Sequence, residues 1–104
     1  MDFASEKQAS DIVLLDLRPL ATFADFFVLL TAESRRQLDA LREDLADSLE
    51  KLGATLHHAE GTSASGWVLL DFGDLVIHIF GPEERQFYGL DQLWARAPEV
   101  VRIQ

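Results

Sequence analysis

The stretch from residue 67 to residue 80 limits the possible folds most, because it reads as a β-hairpin with two very different faces. Two apolar runs, Trp67–Phe72 and Leu75–Phe80, are separated only by Gly73-Asp74. A two-residue connection with glycine first predicts a type II′ turn, whose backbone twist matches that of the flanking strands. In that register Phe72 faces Leu75, Leu70 faces Ile77 and Val68 faces Ile79. Side chains alternate along a strand, so this face is wholly apolar and has to line a core. The other face carries Trp67, Leu69, Asp71, Val76, His78 and Phe80. A face that mixes large apolar groups with a carboxylate and an imidazole is either covered by a second helical layer or offered to a partner.

The rest of the chain supplies alternating elements without linkers. Residues 3–9 read as the stub of a helix. Asp11–Leu17 is a nearly continuous apolar run, as in a strand buried on both faces, and Arg18-Pro19-Leu20 breaks it. Phe23–Thr31 contains a second strand at about Phe26–Leu30, for which a short buried helix is the competing reading. A helix is predicted over Arg35–Leu52, with Ser34 as its cap and Gln37 as the capping-box partner. Leu38, Leu41, Leu45, Leu49 and Leu52 form one stripe spaced by three and four residues, which predicts core packing, and Gly53 ends the helix. Thr55–Glu60 reads as a strand and Gly61–Gly66 as a loop. Pro82 opens a short helix, with Glu83 and Glu84 suited to its positive end. Gly89 interrupts it, Leu90–Trp94 reads as a further helical turn, and a tail begins at about Pro98.

Length and composition exclude several classes. A chain of 104 residues suits a single domain. Its 48% apolar and 26% charged residues are those of a globular protein. With no cysteine there is no disulfide framework, thiolate zinc site or cysteine nucleophile. No apolar run approaches the roughly 20 residues that span a bilayer. The start Met1-Asp2-Phe3-Ala4 lacks the basic and apolar regions of a signal peptide, so the expected location is the cytoplasm. Acidic residues outnumber basic ones by 18 to 9, for a net charge of −9. A field of that sign repels phosphate backbones and anionic lipid, so direct nucleic-acid or membrane binding is not expected, and a basic protein partner is favoured.

Catalytic and metal-binding motifs are missing. His57 and His58 are adjacent on a predicted strand and point to opposite faces, so they do not readily chelate one ion. His78 with Asp71 or Asp74 offers two ligands and no evident third, so a half-buried histidine bonded to a neighbour is the favoured reading. Asp71-Phe72-Gly73 spells a kinase triplet, but the chain is too short for a kinase and has no glycine-rich phosphate loop. No serine sits in a nucleophile motif. The expectation is no metal, no cofactor and no catalysis. The aromatic residues Trp67, Phe80, Phe87, Tyr88 and Trp94 suit a docking surface, since Trp, Tyr and Arg are enriched at binding hot spots. They equally suit closure of the core between the hairpin and the final helix, which composition alone favours.

The run Leu69-Leu70-Asp71-Phe72-Gly73-Asp74-Leu75-Val76-Ile77-His78-Ile79-Phe80, followed by Pro82-Glu83, Arg85, Phe87-Tyr88, Leu90 and Leu93-Trp94, resembles the signature of the ribosomal silencing factor (RsfS, or Iojap) family. Asp11-Ile12-Val13, Leu15-Asp16-Leu17, Asp25, Phe27-Val28, Ser34 and Arg36-Gln37 resemble the same family, so the likeness runs from about residue 9 to residue 98. Two departures stand out. Thr31-Ala32-Glu33 replaces the usual Ser-Gly-Thr, and only a stub of the N-terminal helix is present.

The resemblance implies an α/β fold: a single domain with a mixed β-sheet of about five strands flanked by helices, in a nucleotidyltransferase-like topology. It also implies binding to the large ribosomal subunit through its protein L-fourteen, which blocks joining to the small subunit and represses translation when nutrients are scarce, and a homodimer off the ribosome. On that reading the partner-binding residues are Trp67, Leu69, Val76 and Phe80 as apolar contacts, with His78 on the same face. Asp71, Asp74, Glu83 and Glu84 meet basic side chains, and Arg85, Tyr88 and Trp94 anchor or hold the final segment. Two other classes stand beside it. One is an acidic homodimeric adaptor with another client. The other is an enzyme of the nucleotidyltransferase fold, which would need clustered carboxylates for magnesium, yet the chain has neither a Gly-Ser pair nor Asp-x-Asp.

Overall fold

The computed structural model of the chain describes residues 9–20, 24–62 and 64–103. Residues 3–8 of the expected helical stub and Phe23 lie outside the described residues. The elements are β1 (Ser10–Asp16), β2 (Phe26–Thr31), α1 (Arg35–Lys51), β3 (His58–Glu60), β4 (Trp67–Asp71), β5 (Leu75–Phe80), α2 (Pro82–Tyr88), α3 (Leu90–Leu93) and β6 (Glu99–Ile103). The strands form one sheet in the order β3-β4-β5-β2-β1-β6. Only β2 and β5 pair in parallel, so the sheet is mixed, as expected.

Its strands number six because the segment expected to be a tail joins it. Residues Glu99–Ile103 pair antiparallel with β1, and the Asp16 amide donates to the Pro98 carbonyl at 2.9 Å. β-Branched residues suit a pleated surface, and the free edge of β1 supplies the missing backbone partners. The predicted strand at 55–60 is shorter than expected. Only His58–Glu60 lie in the strand, although the His57 amide still reaches the Asp71 carbonyl at 2.8 Å.

The hairpin adopts the predicted register, with Val68 opposite Ile79 and Leu70 opposite Ile77. The Phe72 amide donates to Leu75 at 2.8 Å, and φ at Gly73 is +90°, a value for which glycine carries no steric penalty. The apolar face packs under α1. Val68, Leu70, Phe72, Ile77 and Ile79 form one cluster with Leu38, Leu41 and Leu45 of the leucine stripe. Ser34 accepts from the Gln37 amide at 3.1 Å and starts α1 as predicted. Leu52 leaves the stripe, because the helix ends at Lys51. Ala32 stands where the resemblance leads one to expect glycine. Its φ is not positive and its methyl is buried in the core, so alanine suits the site.

The mixed face of the hairpin is mostly covered. Val76 and Phe80 join Val13, Leu15, Leu17, Phe27 and Leu29 in a second cluster, against which Trp67, Leu69, Leu90 and Trp94 pack. The layer over this face is therefore thin. It consists of α2, α3 and the turn after them, and it leaves the β3–β4 side of the face open.

Candidate functional site

At the centre of the mixed face the Trp67 indole N–H donates to His78 Nδ1 at 3.2 Å. Trp67 also stacks on Phe80 at 5.3 Å between ring centroids and tilts against Tyr88 at 4.5 Å. Phe27 lies edge-on to His78 at 4.6 Å and to Trp94 at 5.6 Å. β5 and β2 thus set a buried aromatic floor, and the end of α2 lays Tyr88 beside Trp67, which reaches the surface from it. Burial pushes the His78 pKa down to about 4, so the ring is neutral at physiological pH. Because Nδ1 accepts, the ring proton sits on Nε2, which has no hydrogen-bond partner among the described residues.

The expected contact residues divide into two sets. Val76, His78 and Phe80 are 7%, 3% and 0% exposed. Side chains including Trp67, Phe27, Leu90 and Trp94 pack over them, so they lie beneath the accessible surface and support it. Arg85 is also buried, and its guanidinium is taken up by hydrogen bonds to Asp91 and Thr31, which fits holding the final segment, one of its two expected roles. Trp67, Leu69 and Trp94 are half-buried, and Tyr88 is exposed. Asp74 and Glu83 are exposed, while Asp71 and Glu84 are partly buried. Asp71 is already engaged, since its Oδ1 accepts from the Gly73 amide at 2.8 Å and fixes the turn. His78 is bonded to a neighbour as favoured, but it is buried rather than half-buried; no group of three or more metal-ligating side chains occurs among the described residues.

Some features of the site escaped sequence reasoning. A notch of about 230 Å³ opens beside Trp67 and Tyr88, with Leu69 in its wall and Glu60, whose carboxylate lies 2.8 Å from His58 Nε2, in its lining. Glu60 comes from the edge strand β3, opposite Leu69. Phe87 and Leu93, 82% and 69% exposed, extend the apolar surface along α2 and α3. Phe87 is one of the aromatic residues expected to suit a docking surface, whereas the exposure of Leu93 was not foreseen, because short helices bury too little for a periodic pattern. On the other face of the sheet a groove of about 410 Å³ lies between α1 and β2, lined by apolar residues such as Val28, Leu45 and Leu49, with Ser48 as its polar group. It holds no titratable side chain for chemistry. The mixed face, which joins apolar, aromatic and acidic groups, is the better candidate. No helix among the described residues is long and apolar enough to cross a membrane.

The sequence profile of the family described as "Ribosomal silencing factor during starvation" matches residues 1–104. The chain is 36% identical over 93 residues to the ribosomal silencing factor RsfS of Bacillus subtilis, covering 89% of this chain and 79% of that protein. It is 40% identical over 97 residues to the chloroplastic protein Iojap of Zea mays, covering 93% of this chain and 42% of that longer protein. A crystal structure of a protein from Chromobacterium violaceum superposes with a TM-score of 0.85 at 30% identity, covering 90% of this chain and 78% of that one.

Proposed function

Since the chain belongs to the ribosomal silencing factor family, we propose that it binds the large ribosomal subunit through protein L-fourteen and keeps the small subunit away. The mechanism is steric exclusion, with no chemical step. The observation that carries this reading is the open strip of Trp67, Leu69 and Tyr88, bordered by Glu60 and adjoining the acidic start of α2. Flat aromatic side chains on a rigid sheet bury large area at small entropic cost, as hot spots do. A net charge of −9 favours a basic protein surface over rRNA phosphate.

In this reading the notch takes a lysine or arginine side chain of the partner. Its aliphatic stem lies on Leu69 and its charge reaches Glu60 and the aromatic rings. Asp74, Glu83 and Glu84 surround the face and steer the encounter. Repression of translation under nutrient limitation, a cytoplasmic location and a homodimer off the ribosome belong to the same proposal. The exposed Phe87 and Leu93 are surface that a second copy would cover.

Co-sedimentation of the purified chain with isolated large subunits, with small subunits as control, tests it. Selective recovery with the large subunit is expected, together with reduced re-association of the two subunits. No binding to large subunits at low salt, where attraction is strongest, would overturn the reading and favour the adaptor with another client.

A further inference from the structure

Arg85 is the only buried residue of α2, and α3 has none, so the segment from Pro82 to Leu93 has a charged side chain as its most buried group. Its guanidinium is a bridge. Nε and Nη2 donate to the two Asp91 carboxylate oxygens at 3.0 and 2.9 Å, a bidentate pair across the bend at Gly89. Nη1 donates to Thr31 Oγ1 at 3.0 Å, at the end of β2. Nη1 also donates to the Asp11 carbonyl. Asp11 has a positive φ of 48° and lies at the bulge where the β1–β2 pairing slips between Ser10 and Val13. One planar group thus joins α2, α3, β1 and β2, segments up to 74 residues apart in sequence. Beyond it, the inward packing of α3 and the following turn rests on Leu90 and Trp94.

We propose that Arg85 is the positioning residue of the docking face: it touches no partner, and its fork fixes residues 82–94 on the β1–β2 end of the sheet so that Tyr88 and Trp94 stay over the aromatic floor. This rests on the docking reading above for its purpose, but not for its geometry. A lysine cannot replace the fork, because an ammonium is a point charge and cannot hold a carboxylate bidentately while also reaching Thr31 and Asp11. Gly89, with φ of +62° between the two helices, is the hinge about which the released segment turns.

Hydrogen–deuterium exchange on the full chain tests the proposal, comparing the wild type with Asp91→Asn and Arg85→Lys. Asp91→Asn keeps the shape and removes the charge, so it is the variant least prone to misfolding. Both variants are expected to speed amide exchange at residues 86–94 by about tenfold, with β2, β4 and β5 unchanged, as in a local opening. Both are also expected to weaken large-subunit binding by about tenfold. Unchanged exchange at 86–94, or equal loss of protection throughout the sheet, would overturn the positioning role. Full protection in Arg85→Lys would overturn the fork. A released segment with undiminished large-subunit binding would overturn its purpose in docking. If the wild type itself does not bind large subunits, the docking reading fails and the exchange data alone decide the positioning claim.

Discussion

The Trp67 indole N–H donates to Nδ1 of His78, so the histidine beneath the mixed face has to be neutral at Nδ1 for this bond to form. The folded-state pKa of His78 is about 4, below the ordinary 6.5, because burial disfavours the imidazolium. A depressed pKa contributes stability that is complete above the unfolded value and is lost as pH falls through the folded one. The window therefore runs from 6.5 down to about 4. Across it the expected loss is about 3 kcal/mol. Asp91 acts lower: the hydrogen bonds from Arg85 hold its pKa below 3.8, so its contribution fades only beneath that value. Denaturant titrations at neutral pH and near pH 4 measure the effect. His78→Gln, which keeps an acceptor for Trp67 without titrating, should flatten the upper window; an unchanged slope would place the acid sensitivity elsewhere.

Burial separates anchors from supports on the same face. Trp67→Ala and Tyr88→Ala should each weaken large-subunit binding by about 2 kcal/mol or more while the chain stays folded. Phe80→Ala should behave in the opposite way, costing roughly 3–5 kcal/mol of stability, since its ring is 0% exposed. Asp74→Ala should lower affinity mainly at low salt, as screening removes a peripheral charge from the encounter. Binding titrations at two ionic strengths, paired with unfolding curves, check all of these. Normal binding by both Asp71→Ala and Asp74→Ala would remove acidic contacts from the reading.

Legibility in the sequence followed the size of the periodic signal. The hairpin register was readable because Gly73-Asp74 leaves one way to pair Val68 with Ile79. The helix was readable because its leucine stripe and Ser34 cap agree. The final strand was not, because Glu99-Val100-Val101-Arg102-Ile103 is short and its partner, the edge of β1, is distant in sequence. That Arg85 holds the final segment was one of two readings of it, but its acceptors were not legible, since they are set by a bulge at Asp11 and a bend at Gly89, neither of which leaves a spacing rule. The two fates of the mixed face were left open for a similar reason. Which residues are covered depends on where α2 and α3 land, and that is a tertiary outcome.

The stripe itself gives a measurable contrast. Leu41 is 0% exposed and Leu52 is 83% exposed, although both fall on the same periodic row. Leu41→Ala should cost about 2–5 kcal/mol by opening a cavity under β4 and β5. Leu52→Ala should stay within about 0.5 kcal/mol. Equal losses in unfolding experiments would mean that Leu52 is covered in solution, by self-association or otherwise, and repeating them at several protein concentrations would separate those cases.

Two glycines with similar backbones should differ sharply. Gly53 and Gly61 have φ of +98° and +87°. A Cβ on Gly53 meets nothing within 4 Å, so Gly53→Ala should cost only the left-handed strain, about 1–2 kcal/mol. A Cβ on Gly61 would lie 2.0 Å from the Trp67 carbonyl oxygen, a backbone atom that cannot swing aside. Gly61→Ala should therefore cost more stability than Gly53→Ala and should also displace Trp67, so that large-subunit binding falls together with the thermal midpoint. Thermal unfolding and co-sedimentation of the two variants check this. Equal stability losses with intact binding would show that the 61–66 loop moves without disturbing β4, and would separate the loop from the docking face.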